Sequence, residues 1–179
     1  MSATQIESTY SPISESKIST KELCLCAAMS TIVFLTTFIP KIPIPLGYAH
    51  MGDAAVFLIV MLIPKRPALL AAAIGSALAD LIGGFYLWIA PTILIKFIMA
   101  YIVYVIARPR TNTPGIAKAA FAFTAAALWM TLGYVAFGAL LYDSIAAGLA
   151  SAYGLLAKSA VNIIAALLLL APLRKALRI

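Results

Sequence analysis

Four ionisable side chains lie inside strongly apolar segments of this chain: Asp53, Asp80, Lys96 and Lys158. A charged group at the centre of a bilayer costs about 2.5–3.5 kcal/mol on insertion scales, so such residues usually pair with one another or serve a function. Two acids and two bases in one chain indicate internal pairing. The chemistry that they predict is recognition of a polar ligand, a structural ion pair, or both.

The positions of Asp80 and Lys96 predict a salt bridge between neighbouring helices. Asp80 precedes a glycine turn by about one helical turn and Lys96 follows Pro91 by about one turn, so both lie at similar depth. This pair is either a structural staple or a ligand contact. Asp53 follows Gly52 at the start of an apolar run, which favours an N-cap over a ligand role.

The sixth apolar run carries Lys158 and Asn162, four residues apart and therefore on one helical face. Lys158 lies about 20 Å into this run, too deep for easy snorkelling, and needs an internal partner or a ligand. Asn162 binds either the ligand or a neighbouring helix. A lone histidine, His50, cannot build a metal site, but it can donate to a ligand or lie in the wet interface.

Three aromatic residues, Tyr48, Tyr86 and Trp88, lie near the predicted outer boundary of the membrane. An interfacial aromatic belt explains such positions. The same loops also carry His50 and Asp80, so these side chains are alternatively expected to form a half-aromatic, half-polar pocket near the outer surface.

Composition places these residues in a membrane protein. The chain has 179 residues, of which 64% are hydrophobic and 11% charged. A soluble domain carries about a quarter charged residues, so this chain cannot cover a water-soluble surface. The two cysteines, Cys24 and Cys26, lie in one apolar run, which excludes a disulfide scaffold. We expect no nucleic-acid partner, since the net charge of +7 is explained by membrane orientation.

Hydropathy and turn residues predict an all-α membrane domain of six transmembrane helices. Residues 1–19 are polar and predict a flexible cytoplasmic tail, and residues 20–179 a single six-helix domain. The predicted spans are Glu22–Phe38, Met51–Ile63, Ala68–Leu81, Thr92–Ala107, Ala119–Leu141 and Ile145–Leu170. An extended proline-rich stretch, 40–45, separates the first two spans, and a loop, 108–115, separates the fourth and fifth.

The distribution of Lys and Arg favours cytoplasmic termini. Six spans place ten loop and tail cations on the side of the termini and only Lys41 on the other side. These ten are Lys17, Lys21, Lys65, Arg66, Arg108, Arg110, Lys118, Arg174, Lys175 and Arg178. Cytoplasmic loops are enriched in Lys and Arg, so both termini are predicted to be cytoplasmic.

Motifs typical of enzymes are missing from the sequence. It has no G-x-x-x-x-G-K-[ST] phosphate loop, no H-E-x-x-H motif and no acidic cluster for a prenyl diphosphate. We therefore expect a binding or transport protein without a cofactor, a metal or an ATPase site of its own.

Three elements together resemble the substrate-binding S components of energy-coupling factor (ECF) vitamin transporters. They are His50-x-Gly-Asp53, Leu78-Ala-Asp80 and Pro91-Thr-x-x-x-Lys96, and the resemblance covers roughly residues 22–175. It lies nearest to the branch that contains hydroxymethylpyrimidine- and riboflavin-type members. The resemblance implies a multi-pass subunit of a prokaryotic plasma membrane that captures a vitamin from outside.

The resemblance also implies partners and site residues. The partners are a transmembrane coupling subunit (T component) and two cytoplasmic ATPases, which would use the ATP. A small-residue face on the first span maps onto Cys24, Ala27, Ala28 and Thr31 and would dock on the coupling subunit. The implied pocket maps onto His50, Asp53, Asp80, Tyr86, Lys96 and the face of Lys158 and Asn162.

The inventory of the predicted pocket suits a flat heteroaromatic ligand, because a ring stacks on aromatic side chains while its polar atoms meet the polar groups. We expect a hydroxymethylpyrimidine- or pyridoxine-like molecule. Pantothenate is the alternative, because its carboxylate would suit Lys158 if Asp80 neutralises Lys96. A stand-alone secondary transporter, with a proton carried by Asp80 or Asp53, is a second class of function.

Overall fold

A computed structural model describes residues 18–44, 47–107 and 115–177 of the chain. Within these ranges the chain forms six α-helices: α1 (Thr20–Phe38), α2 (Gly52–Leu62), α3 (Lys65–Gly83), α4 (Ile89–Ala107), α5 (Ile116–Leu141) and α6 (Ile145–Leu177). Two short strands, β1 (Ile42–Ile44) and β2 (Gly47–Ala49), pair antiparallel between α1 and α2. A 3-10 turn, Tyr86–Trp88, precedes α4. The predicted helical class is confirmed, and residues 42–44 of the extended proline-rich stretch form the first strand of this small hairpin.

Local sequence explains where the helices begin and end. The backbone N–H of Glu22 donates to Ser19 Oγ at 3.2 Å, and the Ser19 N–H donates to Glu22 Oε2 at 3.1 Å. This reciprocal capping box starts α1 at Thr20, two residues before the predicted start. Gly84 ends α3 with a φ of +79°, which glycine adopts without steric cost. Most of the predicted tail and of the loop 108–115 lies outside the described residues.

Five of the helices in the described ranges, α1 and α3 to α6, are long and apolar enough to cross a membrane. The 11-residue helix α2 is about 16 Å long and cannot alone cross a hydrocarbon core of roughly 30 Å. Six helical runs are therefore found where six were predicted. The number of spans and the cytoplasmic position of both termini remain predictions.

The short helix α2 lies at the centre of the bundle. Every residue from Gly52 to Met61 is buried, and α2 contacts α1, α3, α4 and α6. A helix that is apolar all round is expected in such a position. The Phe57 ring stacks on the Phe123 ring of α5 with a centroid distance of 4.5 Å. The first turn of α2 therefore places Asp53 inside the protein.

Small residues on two helices serve different surfaces. Ala71, Gly75 and Ala79 of α3 are buried, and a Cβ atom at Gly75 would lie 2.5 Å from the Ser30 carbonyl oxygen of α1. Glycine thus permits the close approach of α1 and α3. Cys24, Ala27, Ala28 and Thr31 of α1 are all exposed instead. The predicted docking face is therefore available at the surface of the chain.

Candidate functional site

A cavity of about 430 Å³ lies between the segment before α2 and the first half of α6. Small residues that recur every three or four positions form its α6 wall: Ala150, Gly154, Ala157 and Val161. The facing wall comes from the hairpin region and includes Pro40, Ile42, Pro43 and Ala49. Two apolar walls, one of them made of small side chains, are suited to a flat ligand.

His50, Lys158 and Asn162 also line the cavity. The Lys158 ammonium lies 3.5 Å from His50 Nε2 and 3.8 Å from the Met130 sulfur. These are the polar groups through which a bound molecule would be oriented.

Asp53 joins two buried lysines behind this group. Its carboxylate forms an ion pair with Lys96 of α4, and its second oxygen lies 2.9 Å from the Lys158 ammonium. Asp53 and Lys96 are each 1% exposed and Lys158 is 5% exposed. We define Asp53, Lys96 and Lys158 as the buried triad. It carries two positive charges and one negative charge.

The buried triad corrects two predictions. Lys96 pairs with Asp53 and not with Asp80, so the predicted salt bridge between α3 and α4 is wrong. The N-cap of α2 is Met51, without a side-chain capping bond, so Asp53 is not the N-cap either. Similar depth on adjacent helices allowed the Asp80 pairing, but the N-terminus of α2 enters the bundle and brings Asp53 to both lysines.

Asn162 connects α6 to the start of α2. Its side-chain oxygen accepts a hydrogen bond from the Ala54 N–H at 2.8 Å, and its Nδ2 donates to the His50 carbonyl at 2.8 Å. The same nitrogen donates to the Lys158 carbonyl at 2.9 Å. Both N–H groups are used within the protein, so Asn162 holds the cavity wall in place and offers a ligand only its oxygen.

The imidazole of His50 is held in one tautomer. Its Nδ1 accepts a hydrogen bond from the Gly52 N–H at 3.0 Å, so a neutral ring carries its proton on Nε2. Burial, together with the positive charge of Lys158, holds the pKa of His50 well below its ordinary value. His50 is therefore neutral at physiological pH, with an N–H donor beside Lys158.

Asp80 and Tyr48 lie in a separate polar region. One oxygen of the Asp80 carboxyl and the Tyr48 hydroxyl have no hydrogen-bond partner within the described ranges. The Asp80 carboxyl also interacts with the Thr92 hydroxyl, which lies 3.2 Å from the Tyr134 hydroxyl. Burial and the nearby Asp80 charge raise the pKa of Tyr48. Neither Asp80 nor Tyr48 lines the cavity, although the Tyr48 ring lies 5.5 Å from the His50 ring.

The two other aromatic candidates lie outside the cavity. Tyr86 is 67% exposed. Trp88 is buried, and its Nε1 donates to the Tyr142 hydroxyl at 3.3 Å. Among the described residues, the tyrosine that lines the cavity is Tyr153, which sequence reasoning missed. The recurrence of small residues along α6 was the sequence signal that could have identified this wall.

The described part of the chain contains no group of three His, Cys, Asp or Glu side chains that could hold a metal ion. The cavity itself offers one imidazole and one ammonium group. Such a donor set recognises hydrogen-bond acceptors or negative charge on an organic molecule.

Comparison with known proteins gives a family for this architecture. The family of ECF-type riboflavin transporter S components matches residues 17–177. An uncharacterised protein of Pyrococcus woesei, named for its position in the gap 3′ region, is 33% identical over 112 residues. These residues are 62% of this chain and 73% of the relative. The family match includes every helix and all residues of the cavity.

Proposed function

The chain belongs to the family of ECF-type riboflavin transporter S components, and we propose that it captures a vitamin in the cavity between the hairpin and α6. Members of this family are multi-pass membrane subunits that bind a substrate. They act with a transmembrane coupling subunit and ATPase subunits, so the family assignment supports a transport subunit without ATPase activity. The observation that carries the assignment to this cavity is its pair of apolar walls with Lys158 among the lining residues.

A flat heteroaromatic vitamin is the proposed ligand class. The cavity volume of about 430 Å³ lies within the range of small-molecule sites. The name of the matching family makes riboflavin the first molecule to test. Hydroxymethylpyrimidine and pyridoxine are smaller rings with the same combination of a planar face and polar edges, and they follow riboflavin as candidates.

Pantothenate is the competing ligand, because the buried triad carries one net positive charge beside the cavity. A carboxylate would neutralise that charge. Against this, Lys158 is already paired with Asp53, and most of the cavity surface comes from apolar residues. We therefore place the ring ligands first.

The test is a titration of the detergent-purified protein with riboflavin, hydroxymethylpyrimidine, pyridoxine and pantothenate, combined with native mass spectrometry for a copurified molecule. Saturable binding of a ring ligand with one-to-one stoichiometry is the expected result. Binding of pantothenate alone would contradict the proposed ligand class, and binding of none of the four would contradict this cavity as the vitamin site.

We propose that the exposed small-residue face of α1 (Cys24, Ala27, Ala28 and Thr31) contacts the coupling subunit. Close approach of two helices requires small side chains. Replacement of Ala28 with Trp is therefore expected to abolish uptake by the assembled transporter while ligand binding to the purified subunit persists. Leu132→Trp, at an exposed apolar position of α5, controls for the effect of a bulky side chain elsewhere on the surface. Uptake that survives Ala28→Trp would exclude this face.

A proton-coupled secondary transporter is the second candidate, supported by the carboxyl oxygen of Asp80 that has no hydrogen-bond partner among the described residues. Uptake assays in cells with and without the ATPase subunits separate the two functions. The S-component function requires uptake to cease without the ATPases. Uptake that persists, and that collapses when the proton gradient is removed, would favour the secondary transporter.

A further inference from the structure

Lys96 is a buried cation that does not line the cavity. It is 1% exposed, and besides its ion pair with Asp53 its hydrogen-bond acceptors among the described residues are weak ones, the sulfurs of Met130 at 3.5 Å and Met99 at 4.0 Å. A lysine in this position adds a second positive charge to one carboxylate, at a considerable desolvation cost. The proposed vitamin contacts do not explain it.

We propose that Lys96 is a positioning residue for ligand binding: by sharing Asp53 it keeps the charge of Lys158 available to the cavity. This inference rests on the proposed function. Lys96 lies on one oxygen of the Asp53 carboxylate and Lys158 on the other. Each lysine therefore has one oxygen of this carboxylate as its ion-pair partner.

The contacts of Lys158 show why this sharing matters. Within the described ranges its ion-pair partner is Asp53, whose Oδ2 lies 2.9 Å from the ammonium. Its other neighbours are the Met130 sulfur, a weak acceptor, and His50 Nε2, which carries a proton when Nδ1 accepts from Gly52. Lys158 therefore keeps donor capacity that the protein satisfies poorly. A ligand oxygen or ring nitrogen in the cavity would satisfy it.

The charges around the triad leave this capacity uncompensated. His50, on the segment before α2, is neutral. The Tyr134 ring of α5 faces both ammonium groups, with its centroid about 6 Å from each nitrogen. Asp80 of α3 forms no ion pair with either lysine within the described ranges, and Lys41 of the hairpin segment adds a further positive charge rather than a counter-charge. Without Lys96, Asp53 would neutralise Lys158 alone and draw its ammonium away from the cavity.

The test is a double-mutant cycle with Lys96→Met and Lys158→Met, using riboflavin as the probe, and pantothenate if riboflavin does not bind. We expect Lys96→Met to weaken binding at least tenfold when Lys158 is present and less than threefold in the Lys158→Met background. Ile95→Met, a buried change next to Lys96 on α4, is the matched control and should leave affinity unchanged. An equal loss in both backgrounds would overturn the proposal.

A second readout does not depend on the ligand. Acetic anhydride labelling of Lys158, followed by mass spectrometry, should be at least threefold slower in Lys96→Met than in the unmodified chain, because Asp53 then holds the ammonium more tightly. An unchanged labelling rate would overturn the proposal for Lys96 even if no probe binds. Failure of this proposal is therefore distinguishable from failure of the proposed vitamin-binding function. If Lys96→Met does not fold, Lys96→Gln, which keeps a donor but no charge, takes its place in both assays.

Discussion

Asp53 and Asp80 are both acids within the apolar bundle, but their surroundings differ. Asp53 lies between two lysines and is 1% exposed. Asp80 lies near the end of α3, interacts with the Thr92 hydroxyl and has one carboxyl oxygen without a partner within the described ranges. The difference shows that an acid in an apolar helix can either form ion pairs with several buried cations or interact mainly with a neutral hydroxyl group.

The two surroundings predict different energetic roles. Removal of one member of a buried ion pair leaves its partner uncompensated, which costs far more than the pair itself contributes. Asp53 has two such partners, whereas Asp80 forms no ion pair with any cation in the part of the chain that the structure describes. Substitutions at the two acids are therefore expected to affect stability to very different extents.

The largest effect is expected for Asp53→Asn. This change leaves Lys96 and Lys158 buried without a counter-charge, and it should lower the free energy of unfolding by about 3–5 kcal/mol. The melting temperature in detergent measures the effect. A melting temperature equal to that of the unmodified chain would show that Asp53 does not hold the two lysines together.

Lys158→Met tests whether the ligand contacts Lys158 and whether it does so through a negative charge. An anionic ligand such as pantothenate should lose about 2–5 kcal/mol of binding free energy, because its charge partner is removed. A neutral ring such as riboflavin should lose roughly 0.5–1.5 kcal/mol, the contribution of a neutral hydrogen bond. Calorimetry with both ligands measures these losses. Unchanged affinity for every ligand would place binding away from Lys158.

His50, which lies beside the buried triad, is expected to make the free energy of unfolding depend on pH. Its pKa in the folded chain lies well below the ordinary value of about 6.5, so below pH 6.5 the unfolded chain binds more protons. The contribution of His50 to the free energy of unfolding is therefore fully present above about pH 6.5. Below that pH it falls by up to about 1.4 kcal/mol per pH unit. Melting temperatures between pH 5 and 8 should show this decline in the unmodified chain and a weaker one in His50→Gln. Identical declines would exclude His50 as their source.

The smallest effect is expected for Asp80→Asn, the matched control for Asp53→Asn. It removes an acid that forms no ion pair with the described residues, so the free energy of unfolding should stay within about 1 kcal/mol of the original. The same thermal assay applies. A destabilisation as large as that of Asp53→Asn would mean that Asp80 has an essential partner of its own.

The sequence was sufficient to predict the helical elements. Apolar runs bounded by prolines and glycines gave each helix to within a few residues at most ends, because these breakers end helices through local geometry. At the start of α1 the two-residue difference comes from the Ser19–Glu22 capping box, which the sequence also contains. The largest omission was at α6, which continues to Leu177, beyond Pro172.

The site was less predictable because it depends on which faces of the helices meet. His50, Lys158 and Asn162 were predicted and line one cavity. The partner of Lys96 could not be deduced, since depth along a helix does not determine which neighbour a side chain faces. The same limit applies to Tyr86 and Trp88, because their position in a loop did not indicate that neither residue lines the cavity.

The most direct test of the account is to fill the cavity from its α6 wall. Gly154 lines the cavity, whereas Leu156, two residues away on the same helix, is 47% exposed and does not. If the ligand binds between the hairpin and α6, riboflavin titration should show at least a hundredfold loss of affinity for Gly154→Trp and no change for Leu156→Trp, with both variants folded by thermal melting. Undiminished riboflavin binding by folded Gly154→Trp would contradict the account.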